Sequence, residues 1–303
     1  MRRVANDLTS VRLALYEATS RLSTIEEDRL ARIEAEVLLC HQMQITRAQL
    51  YTRLDDIISD DQADGYAALI ERRLRHEPLA YITHNKEFYG LNFYVDPRVL
   101  IPRPETEHLV EKALEWLRQQ KEPEQGWLIV DVGTGSAAIA ATLAVHLPRA
   151  TVVGIDASSE ALEVARINCI RHGVARRVTL RQGDLLDTAA ERFDVIVANL
   201  PYVTEDDMIA LSPDIRGYEP LEALDGGKDG LDLYRRLLHE APRHLRENGS
   251  LLAEIGLGQG EAMLELARKS FPDAAIGLIE DYNGIDRIVT IENRPLIAPH
   301  ECR

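Results

Sequence analysis

The sequence predicts an α/β fold, a doubly wound and mostly parallel sheet with a small helical domain in front of it. Three observations carry this. From Trp127 onward, short apolar runs alternate with helical stretches, the pattern of parallel strands joined by crossover helices. The first of those strands runs straight into Gly133-Thr134-Gly135, a tight turn ahead of a helix of small residues. Before residue 85 there is no strand signal, only apolar side chains at intervals of three and four.

In the helical part, Leu8, Val11, Leu15, Ala18 and Leu22 make one stripe, and Leu30, Ile33, Val37 and Cys40 a second. A third helix is predicted to start at Ser59, with Gln62 completing a capping box and Tyr66, Ile70 and Leu74 as its stripe. Pro78 is expected to end the helical region. Residues 87–95 read as a short hairpin around Gly90 and Asn92. Pro102 and Pro104 hold the next stretch extended, and a helix follows over 105–119. Strands are predicted at 128–132, 151–155, 178–181, 195–198 and 250–255, with helices at 158–172 and 230–246. Residues 274–279 and 286–291 read as a closing antiparallel pair. This gives a helical substrate-recognition domain (1–84), a linking hairpin and loop (85–104), a catalytic domain (105–292) and a tail (293–303).

The composition, 45% hydrophobic and 28% charged over 303 residues, is that of an ordinary globular protein. No apolar run approaches the roughly 18 residues of a membrane span. Arg2 and Arg3 are not followed by the apolar stretch of a secretory signal, so a cytoplasmic location and no membrane partner are expected. Cys40, Cys169 and Cys302 stand far apart, in no metal or redox spacing, so no metal is expected. The net charge is -15. Residues 1–85 hold 11 basic and 14 acidic side chains, so most of the acidity lies beyond them. A protein that grips phosphates usually shows a basic face, and this balance points instead to a protein or small-molecule substrate.

The strand 128–132 and its glycine turn form a nucleotide-type site beyond the carboxyl ends of the strands. Asp156 ends the second strand, where an acidic side chain can bind ribose hydroxyls. Asp184 ends the third, where it can accept from an adenine amino group, and Leu185 beside it offers a backbone N–H and an apolar surface. A dinucleotide site would want a third glycine where Ala138 stands, though its fingerprint sometimes tolerates alanine. It would use Asp156 too, so the discriminator is Asp184 in register with the other two strand ends. Gly133, Thr134, Gly135, Ser136 and Ala137 with the two aspartates therefore favour S-adenosyl-L-methionine.

The fourth strand ends in Asn199-Leu200-Pro201-Tyr202. An amide nitrogen is a poor nucleophile, and its hydrogens become better donors as it gains positive charge in the transition state. Two fixed acceptors aimed at those hydrogens stabilise the transition state more than the ground state. The Asn199 side-chain oxygen and the Leu200 main-chain carbonyl can be the two. Pro201 biases Leu200 toward an extended backbone, and Tyr202 offers a flat face to a planar group. These four residues alone do not separate an amide from a nucleobase.

The motif resembles the Asn-Pro-Pro-Tyr signature of nitrogen methyltransferases, with Leu200 in place of the first proline. Further segments choose a branch: Glu87-Phe88-Tyr89-Gly90-Leu91, Ile101-Pro102-Arg103-Pro104-Glu105-Thr106-Glu107, Tyr218-Glu219-Pro220, Ala223-Leu224-Asp225-Gly226-Gly227, Glu254-Ile255-Gly256 and Asp281-Tyr282-Asn283-Gly284-Ile285-Asp286-Arg287. Over residues 10–291 the chain resembles the release factor glutamine-N5 methyltransferases, departing at His84, where the family often has glycine. The resemblance implies a class I methyltransferase fold, Rossmann-like, with a seven-stranded, mostly parallel sheet and an antiparallel closing strand. It implies methyl transfer from S-adenosyl-L-methionine to the glutamine of the Gly-Gly-Gln motif in class I peptide chain release factors. Gly133 through Ala137, Asp156, Asp184, Leu185 and Asn199 then match the methyl-donor site. Asn199 through Tyr202 match the glutamine site, with Arg103 and Glu105 on its wall. Direct contact with nucleic acid is not expected, and a monomer is. The alternatives are an amino methyltransferase of DNA or ribosomal RNA, or one acting on a ribosomal protein glutamine.

Overall fold

A computed structural model describes residues 9–121 and 123–294. The predicted tail beyond Arg294, with Cys302, lies outside them, as does Leu8 at the head of the first stripe. The chain divides into two compact units. One runs to His84 and takes in Ser212–Tyr218. The other comprises Asn85–Leu211 and the chain from Glu219 onward.

The first unit is helical: α1 (Val11–Leu22), α2 (Asp28–Met43), α3 (Arg47–Thr52), α4 (Asp60–Leu74) and α5 (Leu79–Thr83). Val11, Ala18 and Leu22 of the first predicted stripe and Tyr66 and Ile70 of the third lie in its core. The second stripe is misplaced: α2 buries Ala31, Ala35, Leu38 and Leu39, while Leu30 is exposed and Ile33, Val37 and Cys40 are half-buried. The packed face is turned about one residue along the helix from the one the larger side chains suggest. Ser59 and Gln62 cap α4 reciprocally as expected, and Thr46 and Gln49 do the same for α3. Pro78 begins a helix rather than ending the helical region, because proline lacks only an N–H that the first turn leaves unpaired anyway. His84 ends α5 at φ 51°, the left-handed conformation glycine adopts most easily, which explains the preference for glycine there. Arg73 is buried and held by Glu34 at 2.8 Å, by Asp214 at 3.0 Å and by Glu26.

The second unit opens with the hairpin β1 (Lys86–Phe88) and β2 (Leu91–Phe93). Its turn is Tyr89-Gly90, both at positive φ, the pairing that matches strand twist. Asn92 therefore lies within β2, opposite Glu87, and not in the turn. There follow α6 (Pro104–Gln119), β3 (Leu128–Val132), α7 (Ala138–His146), β4 (Thr151–Asp156), α8 (Ser159–Arg171), β5 (Val178–Gln182), β6 (Phe193–Ala198) and α9 (Glu205–Ala210). Pro213–Tyr218, α10, belongs to the first unit. The chain ends with α11 (Asp232–His244), β7 (Leu245–Glu254), α12 (Gly260–Ser270), β8 (Ala275–Glu280) and β9 (Asp286–Glu292).

The sheet has seven strands in the order β5-β4-β3-β6-β7-β9-β8. The first five are parallel, and β9 runs antiparallel to both β7 and β8. Apolar clusters cover both faces. Leu109, Leu114, Ile129, Leu143 and Val195 belong to one, and Val130, Ile155, Ile196, Tyr234 and Leu251 to the other. The central strands β3 and β6 are accordingly apolar except for one aspartate each, Asp131 and Asp194, as expected of strands buried on both faces. The strand order reverses between β3 and β6, which places the ends of both at the switch point where such sheets form ligand sites.

Candidate active site

At the end of β3 the backbone turns through Gly133 at φ 74°, Gly135 at φ 53° and Ala137 at φ 61°. The N–H groups of Gly133 and Thr134 both donate to the Ile155 carbonyl at 2.9 Å, which fastens the turn to the end of β4. Asp156 ends β4, and its two oxygens accept from Gly135 N at 2.8 Å and Ser158 N at 2.9 Å. Each oxygen keeps acceptor capacity, since a carboxylate offers about four lone-pair sites. Burial raises the Asp156 pKa against the pull of those two N–H groups. A Cβ placed on Gly135 would meet no heavy atom within 4 Å, so the turn faces open space there. Asn168, fully buried, ties the turn to the hairpin: its Nδ2 donates to the carbonyls of Ser136 and Tyr94, both at 2.9 Å.

Asp131 sits beneath this turn. Its Oδ2 accepts from Thr134 Oγ1 at 2.6 Å and Ala140 N at 3.1 Å. Its Oδ1 is buried with no partner among the described residues. Burial pushes this carboxyl up to about 7.

Beyond β5, Asp184 holds a partner of its own. Its carboxylate accepts from Arg236 of α11 at 2.6 Å, in an exposed pair. Leu185 adopts φ 55° and buries its side chain beside Val153 and Ile155.

The residues after β6 are held from several sides. Asn199 Nδ2 donates to Thr106 Oγ1 at 2.9 Å, which orients the amide and leaves Oδ1 on its other side. Leu200 N donates to the Tyr234 hydroxyl at 3.1 Å, and that hydroxyl donates to the Glu254 carbonyl. The Leu200 side chain is buried, and its Cδ2 would lie 3.0 Å from a Cβ on Gly133. Tyr202 donates its hydroxyl to Glu254 Oε1 at 3.3 Å, and its carbonyl accepts from Gln259 Nε2 at 2.9 Å. A Cβ on Gly226 would meet the Pro201 carbonyl at 2.8 Å, and one on Gly230 would collide with the Tyr202 carbonyl. Those glycines let neighbouring backbone close over the loop. Burial pushes Glu254 up to about 7, against the hydroxyls of Thr106 and Tyr202 nearby and the charge of Arg287. Burial likewise raises Tyr202 above the ordinary tyrosine range.

Arg103 donates to Glu219 Oε1 at 2.6 Å, while Glu219 Oε2 accepts from Ile101 N at 3.1 Å. Glu219 is buried, so Arg103 locks the extended segment before α6. Glu105 opens α6 and borders a shallow cleft with His108, Glu111, Asp281 and Tyr282. Sequence reasoning missed the parts played by Thr106, Glu219, Tyr234, Glu254 and Gln259. Glu254 did leave a signal: a single charge closing the apolar run Leu251-Leu252-Ala253.

The strand order, the glycine turn at the switch point and the Asn199–Tyr202 loop beside it define a class I methyltransferase. Residues 123–254 match the family model described as methyltransferase domain, and residues 14–83 the one described as PrmC N-terminal domain. A solved methyltransferase from Pyrococcus furiosus shares the fold, with a TM-score of 0.51 at 20% identity over 74% of this chain and 98% of that one. The chain is 43% identical to the release factor glutamine methyltransferase of Geobacter sulfurreducens, over 86% of this chain and 88% of that one. It is 44% identical to the protein of that name from Moorella thermoacetica, over 92% and 96%. The chain belongs to the release factor glutamine methyltransferase family. Among the described residues, no helix is long and apolar enough to cross a membrane.

Proposed function

We propose that this enzyme transfers a methyl group from S-adenosyl-L-methionine to the side-chain amide nitrogen of the glutamine in the Gly-Gly-Gln motif of class I release factors. The observation that carries the reading is the Asn199 amide. Its NH2 group is used by Thr106, which leaves its oxygen as the acceptor in a segment that continues directly into Leu200, Pro201 and Tyr202.

Gly133 through Ala137, Asp156, Asp184, Leu185 and Asn199 would hold the cofactor. The open face at Gly135 and the spare acceptor capacity of Asp156 suit a ligand with a ribose diol. Asp184 offers its remaining oxygen, with the Arg236 pair in place. When bound, the cofactor supplies a methyl group activated by a positively charged sulfur. The protein's own residues do the rest. Asn199 Oδ1 and the Leu200 carbonyl accept from the two N–H groups of the glutamine amide. These bonds strengthen as the nitrogen gains positive charge, so they favour the transition state over the ground state. Tyr202, its hydroxyl held by Glu254, supports the planar amide on its ring face. No base is needed before transfer, because the nitrogen can lose its proton afterwards. The Arg103–Glu219 pair shapes the wall from behind, and Glu105 stands at the rim.

The reading places the enzyme in the cytoplasm, acting as a monomer on protein without direct contact with nucleic acid. It is tested by mass spectrometry of a release factor's Gly-Gly-Gln peptide after incubation with enzyme and cofactor. One added methyl on the glutamine is expected, and none in a Gln→Ala release factor. Equal labelling of both proteins would remove the assigned target.

A further inference from the structure

Asparagine is nearly symmetric in shape, and its usefulness as an acceptor depends on which way round its amide sits. Something must hold Asn199 the right way. Its Nδ2 donates to Thr106 Oγ1 at 2.9 Å. A threonine hydroxyl can accept there and still has one proton of its own to give. Thr106 faces the carboxyl of Glu254, which closes β7. That carboxyl is fully buried, takes the Tyr202 hydroxyl on Oε1 and leaves Oε2 with no hydrogen-bond partner among the described residues, so a neighbouring hydroxyl proton is the one it can still take. An ionised carboxylate can only accept. If the Thr106 proton turns to that carboxylate, the Thr106 lone pairs face Asn199, and only the NH2 side of the amide can answer them.

We infer that Thr106 and Glu254 are positioning residues that set the direction of a hydrogen-bond chain from Asn199 through Thr106 to Glu254, and so keep Asn199 Oδ1 turned to the substrate. The inference rests on the proposed amide methyl transfer and deepens it. It gives a role to Thr106 within the Ile101–Glu107 segment. It also joins both sides of the substrate amide, Asn199 and Tyr202, to one carboxylate.

The chain is polar only while Glu254 is ionised. The groups facing that carboxyl are Thr106 and Glu105 from α6, Tyr202 from the loop after β6, Tyr234 from α11, and Arg287 from β9, itself paired with Asp281. Protonation of Glu254 would put a competing donor beside Thr106 and loosen the choice of Asn199 orientation.

The test uses the full-length enzyme with a release factor, in steady-state kinetics, with calorimetry for cofactor binding. Loss of one preorganised group typically costs 10²–10³ in kcat, and loss of its orientation alone is expected to cost Thr106→Val at least about tenfold. KM for the release factor and cofactor affinity should stay within about threefold, and Thr106→Ser, which keeps the hydroxyl, should recover most of the rate. Wild-type kcat should fall as pH drops below neutrality, and Glu254→Gln should flatten that fall. Thr106→Val turning over within about twofold of wild type would overturn the inference. So would Thr106→Ser as impaired as Thr106→Val, or an unchanged pH limb in Glu254→Gln. If the wild type itself fails to methylate the release factor, the proposed function falls as well; an active wild type with an unimpaired Thr106→Val removes only the positioning chain.

Discussion

Asp131→Asn is expected to make the protein more stable above neutral pH and to flatten its stability against pH. The Asp131 carboxyl is fully buried, and burial lifts its pKa from an ordinary 3.8 to about 7. The folded protein therefore holds this proton more tightly than the unfolded chain does. The contribution is complete below pH 3.8, shrinks as pH rises and is gone once pH passes 7. The rise from 3.8 to about 7 corresponds to about 4 kcal/mol in all. Linkage assigns about 3 kcal/mol of that to the span from pH 5 to 8.5. Asparagine cannot ionise. Its oxygen can take the Thr134 and Ala140 bonds now made by Oδ2, and its NH2 inherits the position of the unpartnered Oδ1, at a cost of about 1–3 kcal/mol. Urea unfolding of both proteins across pH 5–8.5 gives the difference directly. Asp131→Asn should gain about 3 kcal/mol relative to wild type over that span. Parallel curves would refute the assignment of the shift to this carboxyl.

Three more outcomes follow from the same geometry. Asn199→Ala removes the side-chain acceptor and should lower kcat by about 10²-fold or more, with cofactor affinity by calorimetry little changed. Gly133→Ala and Gly135→Ala both force alanine to positive φ, at about 1–2 kcal/mol each, but only the first also presses on Leu200 at 3.0 Å. Thermal unfolding should therefore rank Gly133→Ala as the less stable, while Gly135→Ala, whose Cβ points into open space, should be the one that weakens cofactor binding. Arg73→Ala leaves Glu26, Glu34 and Asp214 around a vacated buried site and should cost about 3–5 kcal/mol in urea unfolding.

The parts of the fold legible in the sequence were those whose pattern is local and long. The central strands β3, β4 and β6 and the capped α4 are such elements, since burial on both faces leaves nearly continuous apolar runs and a capping box spans only four residues. The short helices α3, α5, α9 and α10 span six residues or fewer, too few to show a period. α12 was different: Met263, Leu264 and Ala267 mark a buried face that the reading passed over. In the site, the residues that end strands stood out because a strand must end where its polar group is needed. The contacts among them did not. Thr106 and Asn199 are 93 positions apart, and Arg103 and Glu219 are 116 apart, so only the folded sheet brings each pair together. For the same reason Arg103 and Glu105 drew attention in a segment where Thr106 makes the contact to Asn199. Asp184 looked free in the sequence because nothing local announces Arg236.

Leu200 has a consequence for how this site can vary. If the acceptor at that position is the main-chain carbonyl, every amino acid supplies it, and side-chain replacement cannot delete it. What the side chain does is fill the space beside Gly133, with its N–H engaged by Tyr234. A proline there would provide the same carbonyl but no N–H. The two residues at positions 200 and 234 should therefore drift together over evolutionary time, answering to steric fit and not to reaction chemistry. A scan that swaps side chains one at a time would then score position 200 as a packing site and overlook half of the acceptor pair. Replacing the backbone amide by an ester is the kind of edit that could expose it.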